Sequence, residues 1–415
     1  MSRRTVEFAC AIIIVGLLAG AAGAATTLLL HAIEHLTYHY SFGTLLSGVG
    51  DSSPVRRALG PMIGGALAGF GWWMLRRRTT VPPLAETITA HRPIPRLSMS
   101  IDALLQVLLV GAGASLGREG APRQLSAAFG DFGTSRLALT ARDREILLGC
   151  AAGAGLGAVY SVPLGGALFA AQILLGSWHP RVLGTALITS SLAVAVAAPV
   201  THLEHPLDWP EAQTSYLFAF LALAIAPLAG AIGLAFNRVM NVARPKVQYH
   251  SWILIPAIAA AGLLIGICSI WYPELPGNGR SILTVAVDSG MTLGAACMLL
   301  LLKPLLTAVF LRAGAVGGLL TPALATGAAA GSVVALTLNQ LAGTHIHVSA
   351  LALTCAAGVL AITQRSPLFA ALFVWELAHP PFWFLIVFAI AAFAAHGLRV
   401  MRERRQAAEA SPPSH

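Results

Sequence analysis

Gly117-Arg118-Glu119-Gly120-Ala121-Pro122 sets a charged pair between glycines in a chain that is otherwise almost continuously apolar. An ionisable side chain inside a membrane segment costs roughly 2.5–3.5 kcal/mol on insertion scales, so it is normally kept there for function. About two hundred residues later Gly318-Leu319-Leu320-Thr321-Pro322 interrupts another apolar run in the same manner. Both breaks lead into small residues, Leu125-Ser126-Ala127-Ala128 and Ala323-Leu324-Ala325-Thr326. A second pair follows at nearly the same separation, Pro163-Leu164-Gly165-Gly166-Ala167-Leu168-Phe169-Ala170-Ala171-Gln172 against Pro367-Leu368-Phe369-Ala370-Ala371-Leu372-Phe373-Val374-Trp375-Glu376. The order and spacing of two motifs, kept across the chain, predict an internal duplication. In transporters such repeats place the substrate site at their interface near the midplane.

Composition fixes the class around these motifs. With 56% hydrophobic and 10% charged residues and a mean hydropathy of +0.75, the chain lacks the polar surface of soluble domains, about a quarter of whose residues are charged. An all-α integral membrane protein is predicted. Uncharged stretches near the roughly 20 residues that cross a bilayer run over Phe8–Leu30, Tyr216–Phe236 and Ser251–Tyr272. The apolar run after Met1-Ser2-Arg3-Arg4 is too long for a signal peptide and has no convincing cleavage site, so it reads as a retained first helix. One membrane domain over residues 1–415 is expected, with repeat halves 8–200 and 214–398, a polar joining loop at Thr201–Gln213, and a short cytoplasmic tail at 399–415 without a regulatory domain. The net charge of +9 collects at Arg3-Arg4, Arg76-Arg77-Arg78 and Arg399–Arg405, beside apolar segments; this predicts cytoplasmic termini in a cell (inner or plasma) membrane by the positive-inside rule. No basic face interleaved with aromatics points to nucleic acid. The single cysteines Cys10, Cys150, Cys268, Cys297 and Cys355 read as small buried hydrophobes, neither disulfides nor metal ligands.

Glycine and proline clusters inside apolar runs imply short, broken helices whose ends lie within the membrane and line a cavity. A helix N-terminus presents free N–H groups and about half a positive charge, so converging ones make an anion site without a buried cation. Glycine lets the backbone approach the ion closely. A carboxylate at the mouth of such a site takes the anion's place and, once protonated, can leave. Glu119 is thereby the candidate gate and proton carrier.

Together these motifs, with Gln124 and the Gly277-Asn278-Gly279 turn before an apolar helix, resemble the CLC family of chloride channels and chloride/proton antiporters over about residues 10 to 398. The resemblance implies a CLC-type inverted repeat of many tilted and broken transmembrane helices, in a homodimer with one pore per protomer. It puts Glu119 on the gating glutamate. Gly120 and Ala121, with Leu319, Leu320 and Thr321, fall where backbone amides line the anion sites. The implied partners are chloride, protons and the lipid bilayer, and no cofactor is called for.

Several positions depart from the family pattern. Ala121 stands where proline is common, and the inner serine motif survives only as Arg78-Thr79-Thr80-Val81-Pro82, leaving Thr79 and Thr80 as hydroxyl candidates at the inner anion site. No tyrosine follows Tyr272, so the usual central-site tyrosine is missing. Where antiporters of the family typically carry paired glutamates, this chain has Gln172 and Ile173, and Ile173 cannot hold a proton. Chloride/proton antiport is the expected activity; a passive (voltage-gated-type) channel or a fluoride/proton antiporter is the alternative.

Two enzyme patterns compete less well. His31-Ala32-Ile33-Glu34-His35 matches the H-x-x-E-H zinc spacing but sits at a helix end, where such residues are common at the interface. Gly113-Ala114-Ser115-Leu116-Gly117 matches G-x-S-x-G, which would suggest an intramembrane protease, yet its strand-turn-helix context is missing. Lys303, Arg312 and Arg365 are expected to snorkel from helix ends. Glu376, the repeat mate of Gln172, is expected to be structural, and Arg123 to raise the local anion concentration.

Overall fold

A computed structural model describes residues 3–201, 207, 209 and 216–410, the last five by their backbone alone. Among these residues 17 α-helices and one π-helical segment carry the fold, and extended backbone pairs only at an isolated antiparallel bridge between Gly117 and Gly318. Seven helices are long and apolar enough to cross a bilayer: Arg3–Tyr38, Pro54–Arg78, Pro180–Thr201, Leu217–Ala243, Leu293–Arg312, Leu320–Leu341 and Trp383–Arg405. Shorter apolar helices, Pro163–Leu174, Leu254–Cys268, Val348–Gln364 and Pro367–Ala378, complete a multi-pass membrane protein.

These helices are apolar on nearly every face because one side meets protein and the other meets lipid. In Arg3–Tyr38, Ala11, Val15, Ala19 and Ala22 are buried while Ile13, Leu17 and Leu28 face outward. Small residues inside let backbones approach closely. The clearest case is the pair Pro54–Arg78 and Leu254–Cys268: a Cβ on Gly65 would lie 2.6 Å from the Ile258 carbonyl oxygen, and one on Gly262 only 2.1 Å from that of Pro61.

Local signals set the ends. Ser53 caps Pro54–Arg78 by accepting from the Arg56 N–H, with Pro54 in the first turn and Arg76–Arg78 in the last. The two proline motifs take the same local form. Ala141–Tyr160 ends on left-handed Ser161 (φ 56°) before a helix opening at Pro163, and Val348–Gln364 ends on left-handed Arg365 (φ 57°) before one opening at Pro367. Beyond Leu168 the first of these widens into the π-helical segment Phe169–Leu174.

The chain forms two compact units that alternate along the sequence, Met1–Pro206 with Met240–Ser281 and Leu302–Pro322, and Leu207–Val239 with Ile282–Leu301 and Ala323–His415. The first has a core of small residues including Ala11, Val15, Cys150, Ala170 and Ala186. In the second, Ala226, Ile362 and Ala395 pack together, and Arg399 donates to the Ile362 carbonyl at 2.9 Å.

Several expectations need correction. Ser251–Tyr272 is helical only over Leu254–Cys268, because the chain turns at Ser269 into the bend that holds Pro273 and Pro276. Cys10 and Cys297 are exposed on outward, apolar faces; Cys150 and Cys355 are buried. Lys303 does not snorkel: it lies within Leu293–Arg312 and is fully buried. The helix from Trp383 continues to Ala410, through most of the expected tail. Most of the Thr201–Gln213 loop and residues 411–415 lie outside the described residues.

Candidate functional site

Helix Arg96–Gly111 stops at Ala112, Gly113 takes φ +107°, and irregular backbone leads to helix Gly120–Gly133. A second irregular stretch, from Gly314 (φ +90°) to Leu319, precedes helix Leu320–Leu341. The two breaks meet. Gly117 N–H donates to the Gly318 carbonyl at 2.7 Å, and Gly318 N–H donates to that of Gly117 at 2.9 Å.

Glu119, 1% exposed, caps the first of these helices and sends its side chain to the start of the second. Its Oε1 accepts from the Leu320 N–H at 2.7 Å, and its Oε2 accepts from the hydroxyls of Thr321 at 3.1 Å and Tyr160 at 3.2 Å. Leu320 opens its helix, so this amide is one of the first four that lack intrahelical partners and carry the positive end of the dipole. The paired glycines make room: a Cβ on Gly318 would lie 2.0 Å from Oε1, and one on Gly117 2.2 Å from Oε2.

Tyr160 was not foreseen as a site residue. It ends helix Ala141–Tyr160, three residues before Pro163, and its hydroxyl also meets that of Thr321 at 2.6 Å. A lone aromatic at the close of a Gly/Ala-rich helix, next to the repeated proline, was the available signal. The Glu119 carboxylate thus meets a tyrosine hydroxyl from helix Ala141–Tyr160. The Arg118 guanidinium lies 5.0 Å over the Tyr160 ring and donates to the Val159 carbonyl at 2.8 Å. Arg123 donates to the Glu119 carbonyl at 2.8 Å and lies over the Phe169 ring.

Gly120 and Ala121 are buried at the start of their helix, Thr321 is buried, and Leu319 is half-buried. Behind Gly120 lies a second polar cluster. Buried Asp102 accepts from Trp72 Nε1 at 2.8 Å, Gln106 Nε2 at 2.8 Å and Gln124 Nε2 at 3.0 Å. A Cβ on Gly120 would lie 2.0 Å from Gln106 Oε1. Thr79 caps the end of Pro54–Arg78, half-buried, and Thr80 is exposed; among the described residues no hydrogen bond joins either to the Glu119 cluster. Gln172 and Ile173 are half-buried in the π-helical segment.

The enzyme patterns find other partners. Ser115 Oγ meets Thr307 Oγ1 at 3.1 Å and the Lys303 carbonyl at 3.5 Å, neither of which is a base. The His35 ring packs against Tyr40 with centroids 4.2 Å apart and the planes tilted by 38°, and Tyr40 donates to Glu34 at 3.5 Å. Burial, then the Glu34 carboxylate, hold the Tyr40 hydroxyl well above the usual phenol range. No three His, Cys, Asp or Glu side chains are gathered for a metal among the described residues.

The profile of the family described as voltage gated chloride channel matches residues 64–399. The chain belongs to the CLC family. This CLC protein is 28% identical over 374 residues to the voltage-gated ClC-type chloride channel ClcB of Escherichia coli, covering 88% of this chain and 89% of that one. Its fold is similar to that of a slow cyanobacterial Cl−/H+ antiporter (TM-score 0.77, 20% identity, 97% of this chain and 98% of the other). A CLC-type fluoride/proton antiporter is also similar (TM-score 0.72, 19% identity, 95% and 96%). The expected all-α CLC fold is borne out.

Proposed function

We propose that this CLC protein exchanges chloride for protons across a bacterial-type plasma membrane, with Glu119 as gate and proton carrier. The observation that carries the reading is the Glu119 carboxylate seated on the Leu320 amide between Gly117 and Gly318. A negative oxygen at a helix N-terminus occupies a site suited to a small anion. When the carboxylate leaves, the Leu320 N–H and the Thr321 and Tyr160 hydroxyls remain as donors for chloride, with the amides at Gly120, Ala121 and Leu319 lining the approach. The protein works as a homodimer with both termini cytoplasmic.

Proton counting supports the second role of Glu119. Its Oε2, Tyr160 Oη and Thr321 Oγ1 form a triangle with edges of 3.2, 3.1 and 2.6 Å. Two hydroxyl hydrogens serve three contacts while the carboxyl group is ionised, and a third hydrogen arrives when it is protonated. The triangle has a place for the carried proton.

Ile173 favours a second reading, a passive channel, because an apolar wall gives an inward-facing proton nowhere to rest. Gln172 favours exchange, since its amide can anchor a file of water. Vesicles holding purified protein, given a chloride gradient and no pH gradient, should move protons uphill, and Ile173→Glu should maintain or raise that rate. A reversal potential that follows chloride alone over a range of pH gradients would overturn exchange.

Anion preference is assigned to backbone amides and the inner threonines. Thr79→Ala should change the relative fluxes of chloride, nitrate and fluoride, whereas Leu320→Val should leave transport largely intact, since the amide is retained. Unchanged preference in both Thr79→Ala and Thr80→Ala would remove these residues from the pathway. Fluoride flux above chloride flux in the wild type would transfer the proposal to the fluoride class.

A further inference from the structure

The bend from Tyr272 to Gly279 has no task in the transport cycle described so far, yet it is built with care. Leu275 to Gly279 are buried without being helical, so their backbone groups need partners from elsewhere. Gly277 takes φ +77° and donates its N–H to the Gly113 carbonyl at 3.0 Å. The Leu275 and Gly277 carbonyls accept from Lys303 Nζ at 2.9 and 2.7 Å. Lys303 is 0% exposed, and among the described residues no carboxylate pairs with it. A buried ammonium without a counter-ion is costly and is tolerated only where its donors are well used.

What the lysine holds leads to the gate. Next to Gly277, Asn278 is buried and its Oδ1 accepts from the Arg280 N–H at 3.1 Å, which fixes the side chain. The same side chain lies beside the Tyr160 hydroxyl, and that hydroxyl reaches Glu119 Oε2 at 3.2 Å. The Lys303 ammonium thus holds the bend, and the bend sets Asn278 next to the tyrosine that reaches the Glu119 carboxylate.

We propose that Lys303 and the bend it anchors are positioning elements of the gate: the ammonium fixes the bend, Asn278 fixes the Tyr160 hydroxyl, and that hydroxyl sets how firmly the Glu119 carboxylate is held. The proposal rests on Glu119 being a gate that opens on protonation. Among the described residues the charged and titratable groups about Glu119 are Arg118 and Arg123 from its own segment and Tyr160 from Ala141–Tyr160, while Leu320–Leu341 contributes the neutral Thr321 hydroxyl.

A weaker hold on the ionised carboxylate lets it take a proton and leave at higher pH. In proteoliposomes the pH of half-maximal anion flux should rise by about one unit in Tyr160→Phe, the worth of one hydrogen bond to a charged group. Asn278→Ala and Lys303→Met should move it the same way by less, and Asn278→Ala combined with Tyr160→Phe should shift it no further than Tyr160→Phe alone. A lysine that served packing only would lower the melting temperature and leave this midpoint in place. Should Lys303→Met fail to fold, Gly277→Ala disturbs the same anchor from the other side, because alanine is strained at that φ and its Cβ would lie 2.7 Å from Leu45. An unmoved midpoint in folded Lys303→Met, or in Gly277→Ala in its stead, overturns the proposal, as do additive shifts in the double variant. Glu119→Gln is the control: pH dependence that survives in it sinks the gate itself, whereas its loss together with unmoved Lys303 and Asn278 variants sinks only the positioning role.

Discussion

Glu119→Ala should abolish coupled proton movement and leave an anion flux that no longer varies with pH. The carboxylate is the titratable acid seated on the Leu320 amide, and its removal frees the three donors it occupies. Hydrogen bonds to a charged group contribute roughly 1.5–3 kcal/mol each, so the wild-type carboxylate holds its place firmly against a competing anion. Without it, chloride meets an open site at every pH, and protons have no carrier. Glu119→Gln should likewise stop the protons while keeping much of the side chain's bulk. A chloride electrode and a pH electrode read on the same vesicles check both variants. Uphill proton transport driven by a chloride gradient in Glu119→Ala would end the assignment of Glu119 as carrier.

Gly318→Ala should nearly stop anion transport, although it adds a single methyl group. That carbon would stand 2.0 Å from Glu119 Oε1 and 2.1 Å from Cδ, so the carboxylate must withdraw. If a chloride ion uses the same space when the gate is open, the methyl group excludes it too, and a Cβ attached to the backbone cannot swing away. The double variant Gly318→Ala with Glu119→Ala separates the two effects. It should remain inactive, with a wild-type elution profile and a melting temperature near that of Glu119→Ala. Flux restored to the Glu119→Ala level would mean that Gly318 makes room for the carboxylate alone, and that the anion passes elsewhere.

The sequence was most legible where a feature is the local consequence of a few residues. Helices interrupted before Pro163 and Pro367 follow from proline's missing N–H and its effect on the preceding residue, and both interruptions take the same left-handed turn, at Ser161 and Arg365. Glu119 was conspicuous because a charge inside an apolar run needs a reason. What was hidden depends on neighbours distant in the chain. The reciprocal hydrogen bonds of Gly117 and Gly318 join segments two hundred residues apart, and nothing at Tyr160 says that its hydroxyl faces a carboxylate. Lys303 was misplaced because hydropathy cannot distinguish an apolar segment against lipid from one against protein. The outward cysteines Cys10 and Cys297 were misread for the same reason. An apolar run also does not mark where a helix stops when both its ends remain among apolar neighbours, and Ser251–Tyr272 was read too long.

The close seam between Pro54–Arg78 and Leu254–Cys268 bears on how the protein sits in bilayers of different thickness. A helix of 15 residues spans about 22 Å, less than the hydrocarbon core of about 30 Å. Left alone it would thin the bilayer or tilt its ends toward the headgroups. Its neighbour has 25 residues, about 37 Å, and glycine contacts with backbone at both Gly65 and Gly262 prevent the two from sliding past each other. The short helix therefore takes its depth from the long one. A change in lipid chain length should therefore be met first by Pro54–Arg78, and the bend at 272–279 that follows the short helix should move with it.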